Sequence, residues 1–137
     1  MGNQNLVYVI DDDEFILSTL TSFLEHAGHS VTTTTDGPQG IDLYTRVRPA
    51  AVILDLGLPS MDGLQVLKRI RGLDAEARVI VLTGYPSKAA ANTAQAMGAA
   101  SFLSKPVEQR RLLITLDAVL GISPPAPPAQ VVNRIPE

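Results

Sequence analysis

The 137-residue sequence contains no cysteine and no tryptophan, and only three phenylalanines and three tyrosines. Without cysteine, disulfides, thiolate metal ligands and cysteine nucleophiles are excluded. Basic residues are also few, because eleven lysines and arginines stand against fourteen aspartates and glutamates. The formal net charge of -3 argues against a domain that binds nucleic acid through phosphate contacts. A partner is therefore expected to be a protein or a small molecule.

Long apolar runs are absent as well. No segment approaches the length that a membrane-spanning helix needs, and the polar start MGNQN lacks the basic and apolar regions of a signal peptide. We therefore expect a cytoplasmic protein without a membrane partner. With 45% hydrophobic and 18% charged residues, the chain has the composition of one soluble globular domain.

Five short apolar segments alternate with segments of helical period. In each helical segment apolar residues recur three or four positions apart, which predicts one buried face. The first helix is expected to bury Ile16, Leu20, Phe23 and Ala27, and to leave Leu17 outside this stripe. The predicted strands cover residues 6–10, 30–35, 50–54, 78–82 and 100–104.

Strands that alternate with helices predict an α/β fold of the doubly wound type, a five-stranded parallel sheet with helices on both faces. Three of the strands are nearly continuous Val, Ile and Leu, as buried parallel strands are. The Thr-rich second strand suits an edge. Ligands bind sheets of this kind beyond the carboxyl ends of the strands, so the residues at those ends are the candidates for function.

Polar and charged residues follow four of the predicted strands. Asp11 and Asp12 follow the first, Asp55 the third, Thr83 the fourth and Lys105 the fifth. Each of them alone has an ordinary structural explanation, such as a helix cap or a solvated charge. Their joint placement at four strand ends favours one shared site.

Three carboxylates in one crevice repel each other unless a cation lies among them. Oxygen ligands favour Mg²⁺, which prefers one or two carboxylates, water and a phosphate group. A phosphoryl group on Asp55 would complete such a shell, with Lys105 pairing with one of its oxygens and Thr83 donating to another. The residues therefore predict an aspartyl phosphate that forms with Mg²⁺.

Four motifs carry a resemblance to a known family. The stretches VIDDDEF, VILDLGLPSMDG, VLTG and SFLSKPV, in this order, resemble the receiver domain of two-component response regulators over residues 6–121. The resemblance implies a flavodoxin-like (βα)5 fold with strand order 2-1-3-4-5. It also implies that the domain accepts a phosphoryl group from a histidine kinase or a histidine phosphotransfer protein. Such a domain catalyses only its own phosphorylation and dephosphorylation and is not an enzyme in the usual sense.

The same resemblance implies a role for each residue of the site. Asp55 would be the phosphoacceptor, Asp12 a direct Mg²⁺ ligand, and Asp11 an acidic neighbour that acts mainly through water. The backbone carbonyl of Gly57 would be the remaining protein ligand. Lys105 would be aimed into the site by a cis peptide bond to the proline that follows it.

Thr83 and Phe102 match the switch pair of the family. The threonine hydroxyl would turn toward the phosphoryl group and the aromatic ring would swing inward behind it. This movement would change the face formed by the fourth helix, the fifth strand and the fifth helix. Gly57 has no side chain to orient a hydrolytic water and Tyr85 is bulky, which together favour slow loss of the phosphoryl group.

The last residues, 122–137, hold five of the ten prolines and are interpreted as a linker or disordered tail that follows a receiver domain of residues 1–121. They are too few for a helix-turn-helix unit. The chain is therefore interpreted either as a stand-alone receiver that acts on a downstream protein or as a receiver fragment of a longer DNA-binding transcriptional regulator, without direct nucleic acid binding of its own.

Two further interpretations concern catalysis and assembly. A phosphatase of the haloacid dehalogenase type also uses an aspartyl nucleophile, Mg²⁺ and a lysine, but Gly57 occupies the position of its general acid, which disfavours turnover of external phosphoesters. The Ala-rich fourth helix offers few charges for an ion-paired dimer face. A monomer is therefore favoured.

Overall fold

The computed structural model describes residues 3–122. Within this range five parallel strands form one sheet in the order β2-β1-β3-β4-β5, together with five helices, which confirms the predicted fold class and strand order. None of the described helices has the length and apolar character needed to cross a membrane. The Pro-rich segment 122–137 lies, apart from Ile122, outside the described residues. The elements are β1 (Asn3–Ile10), α1 (Glu14–His26), β2 (Ser30–Thr34), α2 (Gly37–Arg46), β3 (Pro49–Leu54), α3 (Gly63–Leu73), β4 (Val79–Thr83), α4 (Lys88–Ala96), β5 (Ser101–Ser104) and α5 (Gln109–Leu120).

The sheet separates two hydrophobic cores. Successive residues of a strand point to opposite faces, so Tyr8 and Ile10 of β1 face α2, α3 and α4, whereas Val7 and Val9 face α1 and α5. The central strands β1, β3 and β4 are buried on both faces, as their apolar composition predicts. The Thr-rich β2 lies at an edge of the sheet, as expected.

Helix α1 buries a different face from the one predicted. Two apolar stripes of helical spacing share Leu20, one through Leu17 and Leu24 and the other through Ile16 and Phe23. Only the first is fully buried against the sheet. The predicted second stripe is therefore wrong as the buried face, although Ile16 and Phe23 pack partly buried against the same core. Ile16 and Phe23 are half-buried and line grooves between α1 and the segment from β5 to α5. The last residue of the predicted stripe is the exposed C-cap of the helix.

Several helices begin or end at capping residues that the sequence indicates. Asp36 caps α2 by accepting a hydrogen bond from the N–H of Gln39, and Pro38 occupies the first turn, where its missing N–H leaves no bond unmade. Gly28 and Gly98 end their helices at φ of 101° and 95°, in the left-handed region that glycine enters without a steric penalty. These caps set where the helices begin and end, and therefore where the connecting loops start.

A partly buried hydrogen bond joins α2 to the end of α3, at the amino-terminal side of the sheet. The hydroxyl of Tyr44 donates to Asp74 Oδ2 at 2.7 Å. Burial raises the pKa of Tyr44, whereas the hydrogen bond from Tyr44 holds the pKa of Asp74 below its ordinary value of 3.8. A carboxyl group with a lowered pKa contributes stability that is complete above its ordinary pKa and is lost as the pH falls through the lowered one.

We therefore expect Tyr44→Phe to reduce the free energy of unfolding by about 1 kcal/mol at neutral pH. Because the contribution of Asp74 fades in acid, the difference between variant and wild type should shrink at about pH 3. Urea unfolding at neutral pH and at about pH 3 measures this difference in the free energy of unfolding. Tyr85→Phe is the matched control, since Tyr85 is 89% exposed and its replacement should leave stability unchanged. The same loss at both pH values would contradict the assignment.

Candidate functional site

The carboxyl ends of the strands bring the predicted acidic residues to one edge of the sheet. β1 and β3 pair in parallel with Ile10 opposite Leu54, so the residues that follow them lie side by side. The N–H of Asp55 continues the pairing by donating to the carbonyl of Ile10 at 2.9 Å. Asp11 is fixed from the other side, because its N–H donates to the carbonyl of Thr34 at 3.1 Å. Main-chain hydrogen bonds alone therefore place Asp11 beside Asp55.

Three carboxylates form a compact cluster at this edge. Oxygens of Asp11, Asp12 and Asp55 lie within 4.8 Å of one another, and Asp12 is the exposed member. Asp11 and Asp55 are only 2% and 6% exposed. Burial raises the pKa of Asp11, and the hydrogen bond from Lys105 opposes this effect. A set of three carboxylates, two of them buried, fits a divalent cation that prefers oxygen ligands, because the cation offsets their mutual repulsion.

The side chain of Lys105 reaches into the acidic cluster. Its Nζ lies 2.6 Å from Asp11 Oδ2 and 3.5 Å from Asp55 Oδ2. The Lys105-Pro106 peptide bond is cis, as the resemblance implied, and the N–H of Lys105 donates to the carbonyl of Thr83 at 2.8 Å. The ammonium group thus lies between two buried carboxylates, one of which is the predicted phosphoacceptor.

Gly57 lies beside the Asp55 carboxylate, and Thr83 is joined to Lys105 through a backbone hydrogen bond. A Cβ built on Gly57 would lie 3.7 Å from Asp55 Oδ2, so the backbone of this residue passes beside the carboxylate. Thr83 is 2% exposed, and its Oγ1 accepts a hydrogen bond from the N–H of Tyr85 at 3.2 Å. The proton of the Thr83 hydroxyl is not used in this bond and remains available for donation.

Phe102 lies behind the site on the edge strand β5. It pairs in register with Val81 of β4 and packs, half-buried, against the core formed with α2, α3 and α4. Grooves open on both sides of its ring, one toward the start of α5 and the other toward Ala91 and Gln95 of α4. A change in the orientation of this ring would therefore alter the surface between α4 and α5.

One supporting residue was not assigned a role from the sequence. Asp13 is the N-cap of α1, with Oδ1 accepting from the N–H of Phe15 at 2.9 Å. Its own N–H donates to Asp11 Oδ1 at 2.9 Å and so orients that carboxylate. The signal was present, since an aspartate directly before an acidic first turn is typical of a helix start.

Comparison with curated proteins identifies relatives among transcriptional regulatory proteins and response regulators. The chain is 30% identical over 134 residues to the transcriptional regulatory protein FixJ of Bradyrhizobium diazoefficiens, an alignment that covers 98% of this chain and 65% of FixJ. It is 32% identical over 124 residues to the response regulator MprA of Mycobacterium tuberculosis, covering 90% of this chain and 54% of MprA. The chain therefore spans between half and two thirds of the length of these relatives.

Solved structures show the same fold. A CheY-like response regulator receiver domain protein from Methanospirillum hungatei superposes with a TM-score of 0.83 at 26% identity, covering 85% of this chain and 94% of that one. A response regulator from Burkholderia pseudomallei, solved with a phosphorylated aspartic acid, a calcium ion and citrate, superposes with a TM-score of 0.78 at 31% identity, covering 85% of this chain and 69% of that one.

The match to a family agrees with the fold and with the position of the acidic cluster. A sequence model described as the response regulator receiver domain matches residues 7–117, which include every strand end discussed above. The curated relatives and the solved structures point to the same family. The chain belongs to the response regulator receiver domain family.

Proposed function

We propose that residues 1–121 form a receiver domain that accepts a phosphoryl group on Asp55, from a histidine kinase or a histidine phosphotransfer protein, in a Mg²⁺-dependent reaction. One observation carries this proposal: the buried Asp55 carboxylate lies 3.5 Å from the ammonium of Lys105 and within 4.8 Å of two further acidic side chains. A carboxylate with a metal ion and an ammonium group beside it offers what the transfer of a phosphoryl group needs. Residues 122–137 would be a linker or tail.

Residues of two segments, the ones that follow β1 and β3, would hold the metal ion. Asp12, Asp55 and the carbonyl of Gly57 would be direct ligands, and Asp11 would act through water. When bound, Mg²⁺ supplies positive charge that offsets the carboxylates and the incoming phosphoryl group. The neighbouring structure from Burkholderia pseudomallei, which contains a phosphorylated aspartic acid and a calcium ion, supports a divalent cation at such a site.

The chain's own groups would carry the transfer. An oxygen of Asp55 attacks the phosphorus in line, forming an acyl phosphate bond while the bond between phosphorus and the donor imidazole breaks, and the released imidazole takes up a proton. Lys105 would leave its 2.6 Å contact with Asp11 and pair with a phosphoryl oxygen. The Thr83 hydroxyl would donate to another, and Phe102 would follow it inward. The surface between α4 and α5 would change as a result.

Acetyl phosphate tests the proposal without a kinase. Intact-mass spectrometry after incubation of the chain with acetyl phosphate should show an adduct of one phosphoryl group, and the adduct should form only when Mg²⁺ is present. An unmodified mass under conditions that phosphorylate a known receiver domain would contradict the proposal. Hydrolysis of an external phosphoester such as p-nitrophenyl phosphate is not expected, because Gly57 has no side chain that could act as the general acid.

An apolar groove beside Lys105 is the expected docking site of the kinase. Phe15 of α1 is 77% exposed and lines this groove together with Ile16, Pro106 and Val107. We expect Phe15→Ala to lower the rate constant kcat/KM for transfer from a phosphorylated kinase domain about tenfold or more, as truncation of an aromatic contact residue does. Phosphorylation by acetyl phosphate should be unchanged, since Phe15 supplies none of the groups proposed to bind Mg²⁺ or the phosphoryl group.

Val47→Ala is the control for this prediction. Val47 is also an exposed apolar residue, at 49%, but it lies at the C-terminus of α2 on the other side of the sheet. Its replacement should change neither reaction. An equal loss with both phosphodonors in Phe15→Ala would assign the residue to the site itself or to folding rather than to docking.

A second candidate concerns the complete protein. FixJ and MprA are longer than this chain, which covers 65% and 54% of them. Relatives of this length support, as a second candidate, a receiver domain that controls the output domain of a longer regulator. An immunoblot of source cells with an antibody against residues 3–122 separates this candidate from a stand-alone receiver by the mass of the protein detected.

A further inference from the structure

The loop between β3 and α3, residues 55–62, is attached to a neighbouring connection through a side chain. The hydroxyl of Ser60 donates to Asp36 Oδ1 at 2.7 Å. The second oxygen of the same carboxylate accepts from the N–H of Gln39 at 2.9 Å and caps α2. The hydrogen bond from Ser60 lowers the pKa of Asp36, so this carboxylate is ionised at neutral pH and both bonds are charge-assisted. One carboxylate therefore caps a helix and holds the loop that follows Asp55.

The first turn of α2 also packs closely against this loop. A Cβ built on Gly37 would lie 2.9 Å from Val66 Cγ2, 3.3 Å from Met61 Cβ and 3.5 Å from Leu58 Cδ1. Leu58 is only 8% exposed. Because a larger residue at position 37 would force these groups apart, the helix and the loop are in close contact around the hydrogen bond of Ser60. The position of the loop thus depends on α2 as well as on β3.

The segment that joins β2 to α2 is also hydrogen-bonded to the acidic cluster. The N–H of Asp11 donates to the carbonyl of Thr34 at 3.1 Å, and the N–H of Asp36 donates to Thr34 Oγ1 at 3.2 Å. Thr34 is 7% exposed, so these bonds are shielded from water. A continuous path of contacts leads from Asp11, on one side of the acidic cluster, to Ser60, in the loop that contains Gly57 on the other.

We propose that Asp36 and Ser60 are positioning residues that hold the Gly57 carbonyl in place relative to the carboxylates of Asp11 and Asp55, and thereby set the affinity for Mg²⁺. The inference rests on the proposed function, because it takes the Gly57 carbonyl as a metal ligand. Groups that orient ligands change metal affinity about tenfold or more when they are removed. Since Ser60 is exposed and solvent competes for its partner, the change belongs at the lower end of that range.

Titration calorimetry with Mg²⁺ on the unphosphorylated chain tests the inference. We expect Ser60→Ala to weaken Mg²⁺ binding about tenfold while urea unfolding detects little change in stability. Ser60→Thr keeps a hydroxyl at this position and is expected to restore the wild-type affinity. Ser87→Ala is the matched control, since Ser87 Oγ accepts from the N–H of Ala90 at the start of α4 and lies outside the loop. This control should lose stability without losing affinity.

The possible results separate the inference from the function on which it rests. Wild-type affinity in Ser60→Ala, or an equal loss in Ser60→Ala and Ser60→Thr, would overturn the positioning role and leave the metal site intact. Binding that is absent from the wild-type chain, or that is unaffected by Asp12→Asn, would overturn the metal site and the inference with it. A loss of Mg²⁺ affinity in Ser60→Ala but not in Ser60→Thr, together with binding that depends on Asp12, supports both the positioning role and the metal site.

Discussion

Replacing Asp55 by asparagine is expected to abolish covalent phosphorylation of the chain. The carboxylate oxygen is the nucleophile in the proposed transfer, and the amide oxygen that replaces it does not form an acyl phosphate. Intact-mass spectrometry should therefore detect one phosphoryl adduct in the wild type with acetyl phosphate and Mg²⁺, and none in Asp55→Asn. The variant is expected to stay folded, because asparagine has the same shape and Lys105 keeps its 2.6 Å ion pair with Asp11.

Two further variants make this experiment specific. Asp42→Asn removes an exposed carboxylate that is paired with Arg46 on the surface of α2, and it should be phosphorylated like the wild type. Asp12→Asn keeps the acceptor but removes a proposed metal ligand, so it should form the adduct more slowly and require more Mg²⁺. An adduct that persists in Asp55→Asn would place the acceptor on another carboxylate of the cluster.

The second large effect is expected from Gly63→Ala, at the first residue of α3. A Cβ at this position would lie 2.4 Å from Leu56 Cα and 2.6 Å from the carbonyl oxygen of Asp55. Both are backbone atoms, so no side-chain rotation relieves the contact and the chain that follows Asp55 must move. We expect the free energy of unfolding to fall by about 3 kcal/mol, at the upper end of overpacking effects. Phosphorylation by acetyl phosphate should be largely lost, because the movement displaces the acceptor.

Gly72→Ala provides a matched control on the same helix. Outside its chain neighbours and its own helix backbone, no atom lies within 4 Å of a Cβ at Gly72, and alanine is favoured over glycine in a helix by about 0.5–1 kcal/mol. This substitution should therefore raise the free energy of unfolding and leave phosphorylation unchanged. Urea unfolding and the rate of adduct formation, measured on both variants, give the comparison. A stable and active Gly63→Ala would mean that α3 does not press against the backbone of Asp55.

The alternation of strands and helices was predictable because it depends on local composition. The nearly continuous Val, Ile and Leu of β3 and β4 indicates burial on both faces, and the Thr-rich β2 indicates an edge. The order of the strands depends on contacts between distant segments, and it followed from the resemblance rather than from periodicity. The buried face of α1 was predicted wrongly because two stripes of equal spacing share Leu20, and only packing against the sheet selects one of them.

The grouping of site residues was predictable for a related reason. The carboxyl ends of parallel strands meet at one edge, so a carboxylate or ammonium that follows each strand is brought to the same place, as Asp11, Asp55 and Lys105 are. The bond between Ser60 and Asp36 was not predictable, because it depends on the paths of two loops that are 24 residues apart in the chain. The roles of Asp55 as phosphoacceptor and of Asp12 as metal ligand are predictions that the variants above test.

The division of the interior into two cores bears on how domains of this kind diverge after gene duplication. Helices α1 and α5 rest on one core and α2, α3 and α4 on the other, with alternate strand residues contributing to each. Substitutions in sites without shared contacts are close to additive, so one half can acquire mutations without compensation in the other. Substitutions beneath α1 can therefore accumulate while α2, α3 and α4 keep their packing on the opposite face of the sheet.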